Sequence, residues 1–250
     1  MMSVGSSSTC IWPSWTCFSS SPKPFKFPLL YSQFSCNNSH NPSYSSADQV
    51  LTDIQDSGII ACLRAPSAEA AVQAARAALR GGISVLEVVM STPGVFEVIR
   101  TLVHEYPSTS IGVGTVLNKQ DARDAIRAGA KFLMSPAMVK DILDDVAQGE
   151  ALYIPGVMTP TEVYPVSALG GVGYIAAVRK PFPFIPMVAS QGIATDSVGE
   201  YISEGASSVV LSDAIFDKKA MSQKNFDVIY RRAGLAASQG SMAVKRKTKG

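Results

Sequence analysis

Residues 58–90 read GIIACLRAPSAEAAVQAARAALRGGISVLEVVM, and they decide the fold class. The apolar run 58–64 is typical of a buried strand, and 83–90 predicts a second one. Between them, the Ala-rich run 66–82 predicts a helix that Ser67 caps. A helix that joins two strands of nearly continuous apolar character indicates a parallel pair, covered on both faces. The stretch therefore predicts one βαβ unit of a parallel sheet.

The same alternation continues to the end of the chain. Further strands are predicted at 109–117, 131–136, 151–157, 184–192 and 207–213, and further helices at 94–107, 118–130, 137–149, 167–180, 195–206 and, in parts, 214–237. The regularity fails at TPTEV (159–163), where a helix begins but Pro165 follows two residues later and no strand appears. With seven strands counted, the predicted fold class is α/β, a (β/α)8 TIM-type barrel that lacks one strand–helix unit, helix 5 and strand 6.

Composition bounds the function. With 46% hydrophobic and 17% charged residues, the 250-residue chain has ample apolar material for one barrel domain, predicted at 48–237. The net charge of +2 is too small to predict a nucleic-acid partner. No apolar run approaches the ~20 residues that cross a bilayer, so we expect a soluble protein without a membrane partner. The basic end, 238–250, predicts a disordered tail, with a nuclear signal as the alternative.

Residues 1–47 differ in composition from the rest. They are crowded with Ser, Pro, Asn and aromatics, and no acidic residue precedes Asp48. Prolines and serines interrupt every candidate for the apolar core of a secretory signal, so the pattern favours an organelle transit peptide over a generic disordered leader. Lys23 and Lys26 are its only cationic side chains, and an Arg-lined amphipathic helix cannot be drawn. That favours the chloroplast over the mitochondrion, with the cytoplasm left if the leader is no transit peptide.

Cysteine and histidine offer no metal site. Cys62 is the one cysteine outside the leader, and His40 and His104 are the only histidines. No CxxC or His-rich cluster suggests a metal ligand set, and we expect no metal and no cofactor. In the apolar run IIACL, Cys62 is interpreted as a small buried hydrophobe rather than a nucleophile.

Glu87 is the first candidate for chemistry. Strand alternation places Val85, Glu87 and Val89 on one face of SVLEVVM. An ionised carboxylate buried there is costly unless it is paired or used. It is either a general acid–base of raised pKa that points into the barrel lumen or a structural partner of an arginine such as Arg64; the first reading is favoured.

The carboxyl ends of the predicted strands carry a second pattern. Barrel active sites lie at these ends, and phosphate commonly binds at the last two strands. The residues there are Arg64, Thr115, Ser135-Pro136, Pro155-Gly156, Ser190-Gln191-Gly192 and Ser212-Asp213. A guanidinium, hydroxyls and glycine-exposed amides at one rim can hold the phosphate or carboxylate of a small substrate.

Five motifs, GGISVLEVVMSTP, GVGTVLN, GAKFLMSPAM, IPGVMTPTE and VASQGI…GASSVVLSDAIF, resemble the 2-keto-3-deoxy-6-phosphogluconate (KDPG) and 4-hydroxy-2-oxoglutarate (KHG) aldolase family. The likeness runs from about residue 50 to 220, in family order, and is greatest to plastid-directed plant members. It implies a class I aldolase, usually a homotrimer, that cleaves a 2-keto-4-hydroxy acid to pyruvate and an aldehyde without a metal.

The resemblance also implies roles. A lysine on the family's sixth strand forms a Schiff base with the keto carbon, and the glutamate that matches Glu87 shuttles protons. The family residues that match Arg64, Thr115 and Pro136 shape the keto-acid site. Ser190, Gln191, Gly192 and Ser212 would take the distal phosphate or carboxylate.

Two departures from the family pattern stand out. Many members have an arginine four residues after the glutamate, where this chain has Ser91. The lysine-bearing strand is absent, because only Val163 and Tyr164 stand between TPTE and Pro165. Lys131 and Lys180 are predicted at the amino ends of strands, and Lys119 and Lys140 at exposed helix starts, so none is expected to replace the Schiff-base lysine.

Three hypotheses follow. The chain is a class I aldolase, or a catalytically inactive barrel that binds keto acids or assembles with intact homologues, or another phosphate-binding barrel enzyme of the epimerase or thiamine-phosphate synthase type. The order of the motifs disfavours the third.

Overall fold

The computed structural model describes residues 45–146, 150–156 and 170–249. The predictions for the leader up to residue 44, and for the helix start at TPTEV, lie outside these residues. Among the described helices, none is long and apolar enough to cross a membrane.

A seven-stranded parallel sheet forms the centre of the fold. Its strands are β1 (Ile59–Leu63), β2 (Val85–Val89), β3 (Ser110–Gly114), β4 (Phe132–Ser135), β5 (Leu152–Pro155), β6 (Val188–Ala189) and β7 (Ser208–Leu211). Their order is β5-β4-β3-β2-β1-β7-β6, and every pair is parallel. Placing the seventh strand beside the first curls the sheet as in a TIM-type barrel, which confirms the predicted fold class.

Helices surround the sheet, most of them on its outer face. They are α1 (Ser46–Ser57), α2 (Ala68–Arg80), α3 (Val95–Glu105), α4 (Lys119–Arg127), α5 (Lys140–Val146), α6 (Val172–Arg179), α7 (Val198–Ser203), α8 (Lys218–Ser222) and α9 (Phe226–Lys247). The predicted caps are confirmed at two of them. The Ser67 side chain accepts from the Ala70 amide, and the Asn118 side chain accepts from the Asp121 amide.

The two faces of each strand belong to different apolar clusters. Ile59, Ala61 and Leu63 of β1 pack outward in the large cluster with the helices. Ile60 and Cys62 face the lumen. The inner cluster also contains Val85, Phe132, Val210 and, from α1, Val50 and Ile54. Helix α1 therefore closes the amino end of the lumen, below the rim at which the site is predicted.

Strand β3 contributes almost no side-chain volume to the lumen, because its inward positions are Ser110, Gly112 and Gly114. A Cβ on Gly112 would lie 2.5 Å from Phe132 Cγ and from the Phe132 carbonyl oxygen. A Cβ on Gly114 would overlap the Glu87 carboxyl. The glycines are thus a packing requirement, since two large neighbouring side chains occupy their space.

The sheet is open on one side within the described residues. β5 and β6 are its two ends, and each has one strand neighbour there. The β5 residues are only half-buried, whereas those of β1, β2 and β3 are almost all buried. Between β5 and β6 a complete eight-stranded barrel would hold one more strand, so the structure agrees with the predicted loss of one strand–helix unit.

The carboxyl-terminal prediction is wrong. The expected disordered tail from 238 is helical through Lys247, because small residues let α9 approach the barrel closely. Gly240 lies against strand β1: a Cβ there would be 2.5 Å from the Ser57 carbonyl and 2.8 Å from Ile59 Cγ1. Ala243 is buried, and Lys247 Nζ donates to the Ala206 carbonyl at 2.9 Å.

Two further boundaries differ from prediction. Helix α1 precedes the first strand and was not predicted; its signal is the capping box formed by Ser45 and Asp48. β6 spans two residues rather than 184–192, since Pro183 and Pro186 remove ladder donors before it.

Gly112→Ala is expected to lower the free energy of unfolding by about 1–3 kcal/mol, the range for overpacking a filled core. The added methyl group meets the Phe132 ring and backbone. Urea denaturation followed by circular dichroism measures the change.

Gly173→Ala is the matched control. Gly173 lies in helix α6, and nothing stands within 4 Å of an added Cβ. This variant should be up to ~1 kcal/mol more stable, because Ala is the better helix former. Equal stability changes in the two variants would contradict a filled lumen at Gly112.

Candidate active site

A cavity of about 340 Å³ opens at the carboxyl ends of the strands. It brings together all eight predicted site residues: Arg64, Glu87, Thr115, Pro136, Ser190, Gln191, Gly192 and Ser212. Cys62, Val89, Met134, Ser135, Ile193, Val210, Asp213 and Ala214 complete its wall. Strands from both halves of the sequence thus converge on one site, as the parallel topology requires.

Glu87 lies at the floor of this cavity. It is 5% exposed on β2, and its backbone pairs with Cys62 on β1 and Gly112 on β3. Burial raises the pKa of Glu87 from 4.5 to about 7, while a hydrogen bond from Cys62 and the charge of Arg64 oppose the rise. A carboxyl that titrates near neutral pH can both give and take a proton.

Arg64 does not form an ion pair with Glu87. Its Nη1 donates to Ser91 Oγ at 2.5 Å, and the side chain is exposed at the rim. Ser91 stands where many family members have an arginine, so here it holds the arginine of the neighbouring strand. The structural alternative for Glu87, a buried salt bridge to Arg64, is not what the structure shows.

Thr115 is held in a strained backbone conformation. Its φ is 60°, in the left-handed region that a β-branched residue rarely adopts. The neighbours fix it there, because the Gly114 carbonyl accepts from Met90 N and the Val116 amide donates to Met134 O. Strain of about 1–3 kcal/mol that is imposed from both sides is typical of a functional site.

The last two strands end in turns at the rim. After β6, Gln191 and Gly192 have φ of 75° and 69°, so the chain reverses sharply beside the cavity. After β7, the Ser212 carbonyl accepts from Ile215 N and Phe216 N. Asp213 is paired with Lys218 at 3.2 Å on the exposed side of this turn.

No lysine of the described residues lines the cavity. Lys119 is paired with Asp145 at 2.8 Å, and Lys140 with Asp144 at 2.5 Å, both on the outside. Lys131 Nζ donates to the Pro107 carbonyl at 2.7 Å, toward the amino ends of the strands. Lys180 follows α6 on the outer layer. The positions agree with the prediction that none of these lysines replaces the Schiff-base amine.

Pro155 and Gly156 lie at the carboxyl end of β5, as predicted, but they do not line the cavity; Gly156 packs against the Pro136 backbone instead. Cys62 was interpreted as an apolar filler, yet it lines the cavity beside Glu87. The alternation Ile60, Cys62, Arg64 along the first strand was the signal that could have found it. In the described part of the chain, no three His, Cys, Asp or Glu side chains form a metal site.

Comparison with known proteins gives one consistent result. The family model described as KDPG and KHG aldolase matches residues 50–232. The chain is 36% identical to a 2-dehydro-3-deoxy-phosphogluconate aldolase of Pseudoalteromonas atlantica, over 53% of this chain and 68% of that protein. It is 30% identical to the KHG/KDPG aldolase of Escherichia coli, over 64% of this chain and 79% of that protein.

A solved structure is similar as well. KDPG aldolase from Legionella pneumophila, with pyruvate captured at low pH as a covalent carbinolamine intermediate, superposes with a TM-score of 0.69. The match has 26% sequence identity and covers 74% of this chain and 97% of that one.

The pKa of Glu87 predicts a pH dependence of stability. Because the folded pKa of about 7 exceeds the ordinary value of 4.5, the folded chain binds more protons than the unfolded chain between these two pH values. The stability that neutral Glu87 provides is therefore complete below pH 4.5 and is lost as the pH rises through 7. Compared with Glu87→Gln, the wild type should lose about 3 kcal/mol of unfolding free energy between about pH 4 and about pH 8.

Urea denaturation at several pH values measures this difference. Glu97→Gln, which removes an exposed carboxyl on α3, is the matched control for the loss of a surface carboxyl. A parallel pH dependence of wild type and Glu87→Gln would show that Glu87 titrates as an ordinary carboxyl.

Proposed function

We propose, since the chain belongs to the KDPG and KHG aldolase family, that its cavity is the keto-acid site of a class I aldolase. The reaction of this family cleaves a 2-keto-4-hydroxy acid, such as KDPG or 4-hydroxy-2-oxoglutarate, to pyruvate and an aldehyde. Binding of the keto acid and proton transfer are the parts of that reaction that the residues of this cavity perform.

One observation carries the proposal: a buried carboxyl with a pKa of about 7 forms the floor of a cavity that has a guanidinium at its rim. Glu87 takes the proton of the 4-hydroxyl group as the carbon–carbon bond breaks, and it returns a proton to the methyl carbon of the pyruvate unit. Burial sets the pKa of Glu87 where both transfers are possible near neutral pH.

The rim residues bind the two ends of the substrate. Arg64, steadied by Ser91, pairs with the carboxylate of the keto acid. Thr115 and Pro136 shape the wall beside the keto carbon. Ser190, Gln191, Gly192 and Ser212 receive the phosphate or carboxylate at the far end, where barrels commonly bind anions.

The carbonyl-activating amine is the part of this site that the described residues do not supply. Class I cleavage needs a lysine whose imine draws electrons from the breaking bond. No described lysine reaches the cavity, and the sequence between TPTE and Pro165 contains none. This observation favours a second candidate function: a catalytically inactive barrel that binds keto acids or assembles with intact homologues.

Reduction with borohydride in the presence of pyruvate separates the two candidates. If the second candidate is right, we expect no pyruvyl-lysine on the unaltered chain, because no described lysine lines the cavity. Peptide mass spectrometry after digestion detects the adduct. The Legionella enzyme is the positive control, since pyruvate was captured covalently in that protein.

A chimera provides the matched control. It carries the lysine-bearing segment of the E. coli relative inserted between Tyr164 and Pro165, and the adduct is expected on the inserted lysine.

Calorimetry should show that the unaltered chain binds pyruvate. In Arg64→Ala the affinity for pyruvate should fall about tenfold, because one charged contact is lost. An adduct on the unaltered chain would overturn the inactive candidate, and absence of pyruvate binding would overturn both.

We also propose that the chain is addressed to chloroplasts and that it assembles as a homotrimer. The acid-free, Ser-rich leader supports the address. Leu117, Met138 and Leu143 are large apolar side chains exposed near the carboxyl-end rim, and they support an interface between subunits.

Residues 1–47 fused to a fluorescent protein are expected to direct import into chloroplasts of plant protoplasts, as seen by microscopy. A fusion that begins at Asp48 is the control and should remain in the cytosol. Purely cytosolic fluorescence of the leader fusion would contradict the proposed address.

A further inference from the structure

Cys62 and Glu87 are direct partners across two neighbouring strands. They are paired in the register of β1 and β2, and both side chains line the cavity. Side chains at paired positions on one face of a sheet lie close enough to interact. The thiol is therefore placed beside the carboxyl by the backbone register, independently of side-chain flexibility.

Two polar groups lie beside the sulfur. The Glu87 carboxyl is the register partner of Cys62 on β2, and the Ser212 hydroxyl lines the same cavity at the end of β7; both act on the pKa of the thiol. An ionised carboxylate only accepts, so the thiol donates its proton toward Glu87. The hydroxyl of Ser212 then donates to the sulfur. Residues from β1, β2 and the end of β7 are thus connected at the cavity floor.

The opposite side of Glu87 is closed by backbone. The carboxyl lies over Gly114, where no side chain fits. Strand β3 therefore offers no donor from a side chain at this position. Cys62 is the described residue with a hydrogen-bond donor that the register of β1 and β2 places directly beside the carboxyl.

Cys62 does not act as a nucleophile here. Burial raises the pKa of its thiol well above the ordinary value, and the neighbouring carboxylate raises it further. A thiol that stays protonated is a poor nucleophile, but it remains a hydrogen-bond donor. Cys62 therefore acts through its effect on Glu87.

We propose that Cys62 is a positioning residue for Glu87, whose carboxylate it holds toward the cavity by a thiol–carboxylate hydrogen bond that Ser212 supports. The description of Glu87 as an acid–base rests on the proposed function, but the contact itself does not. Burial raises the pKa of Glu87, and the thiol donor counteracts that rise. Without the donor, the pKa of Glu87 should therefore be higher. The other charged groups around Glu87 are Arg64 above it and, at the exposed rim, Asp213 paired with Lys218.

Two variants test the role of the donor while keeping the volume of the side chain. Cys62→Val has no donor, and Cys62→Ser keeps one. The pKa of Glu87 is read directly in the full chain, without ligand, by NMR titration of carboxyl-¹³C-labelled glutamate, with Glu87→Gln to assign the signal. We expect an upward shift of about one pH unit in Cys62→Val, the scale of a hydrogen bond to a charged group, and a value near that of the wild type in Cys62→Ser.

A wild-type titration in Cys62→Val would overturn the proposal, as would an equal shift in Cys62→Ser. Should Cys62→Val fail to fold, Cys62→Ala replaces it in the same comparison. The titration needs no substrate, so it can succeed where pyruvate binding fails, which would overturn the proposed function alone. The reverse result, pyruvate binding with no shift, would overturn only the role of Cys62.

Discussion

The structure depends on a packing constraint inside the lumen: Glu87 is buried in the space that a side chain at Gly114 would occupy. Gly112, on the same strand β3, likewise leaves the space that the Phe132 side chain occupies. Small residues on β3 let a carboxyl sit among apolar neighbours, and its burial there moves its pKa to about 7. The acid–base character of the site is therefore a consequence of strand packing, and it needs no ion pair.

The open side of the sheet separates two parts of the chemistry. In the proposed function, proton transfer and carboxylate binding come from β1, β2 and β3, which are neighbours in the sheet and mostly buried. Imine formation would come from a strand between β5 and β6, which the described residues do not supply. Because the central strands pair and pack with one another, the positions of Glu87 and Arg64 do not depend on closure of the sheet, which is open within the described residues.

Local patterns predicted much of this fold. Alternation alone placed Glu87 on the lumen face, and side-chain chemistry alone placed the caps Ser67 and Asn118. Features that depend on contacts between distant elements of the chain could not be predicted. Gly240 and Ala243 read as a small-residue tail, yet they are small because α9 packs directly on the backbone before β1. Alternation could show that Cys62 faces the lumen, but only the register of β1 and β2 shows that Glu87 lies beside it. The strain at Thr115 likewise arises from hydrogen bonds that its two neighbours make with other strands.

Three features that lower the stability of the fold lie together at one end of the sheet. Glu87 lowers stability near neutral pH, by the order of 3 kcal/mol once it ionises. Thr115 holds a conformation that a β-branched residue avoids, and Gly114 gives up the better strand propensity of other residues. A common substitution would relieve the cost at Glu87 or at Thr115, whereas Gly114 is required because the Glu87 carboxyl fills the space of its missing side chain. Departures from local preference that cluster at one cavity are typical of a binding or catalytic site. The cavity is therefore built to handle a ligand, and among the described residues no lysine lines it.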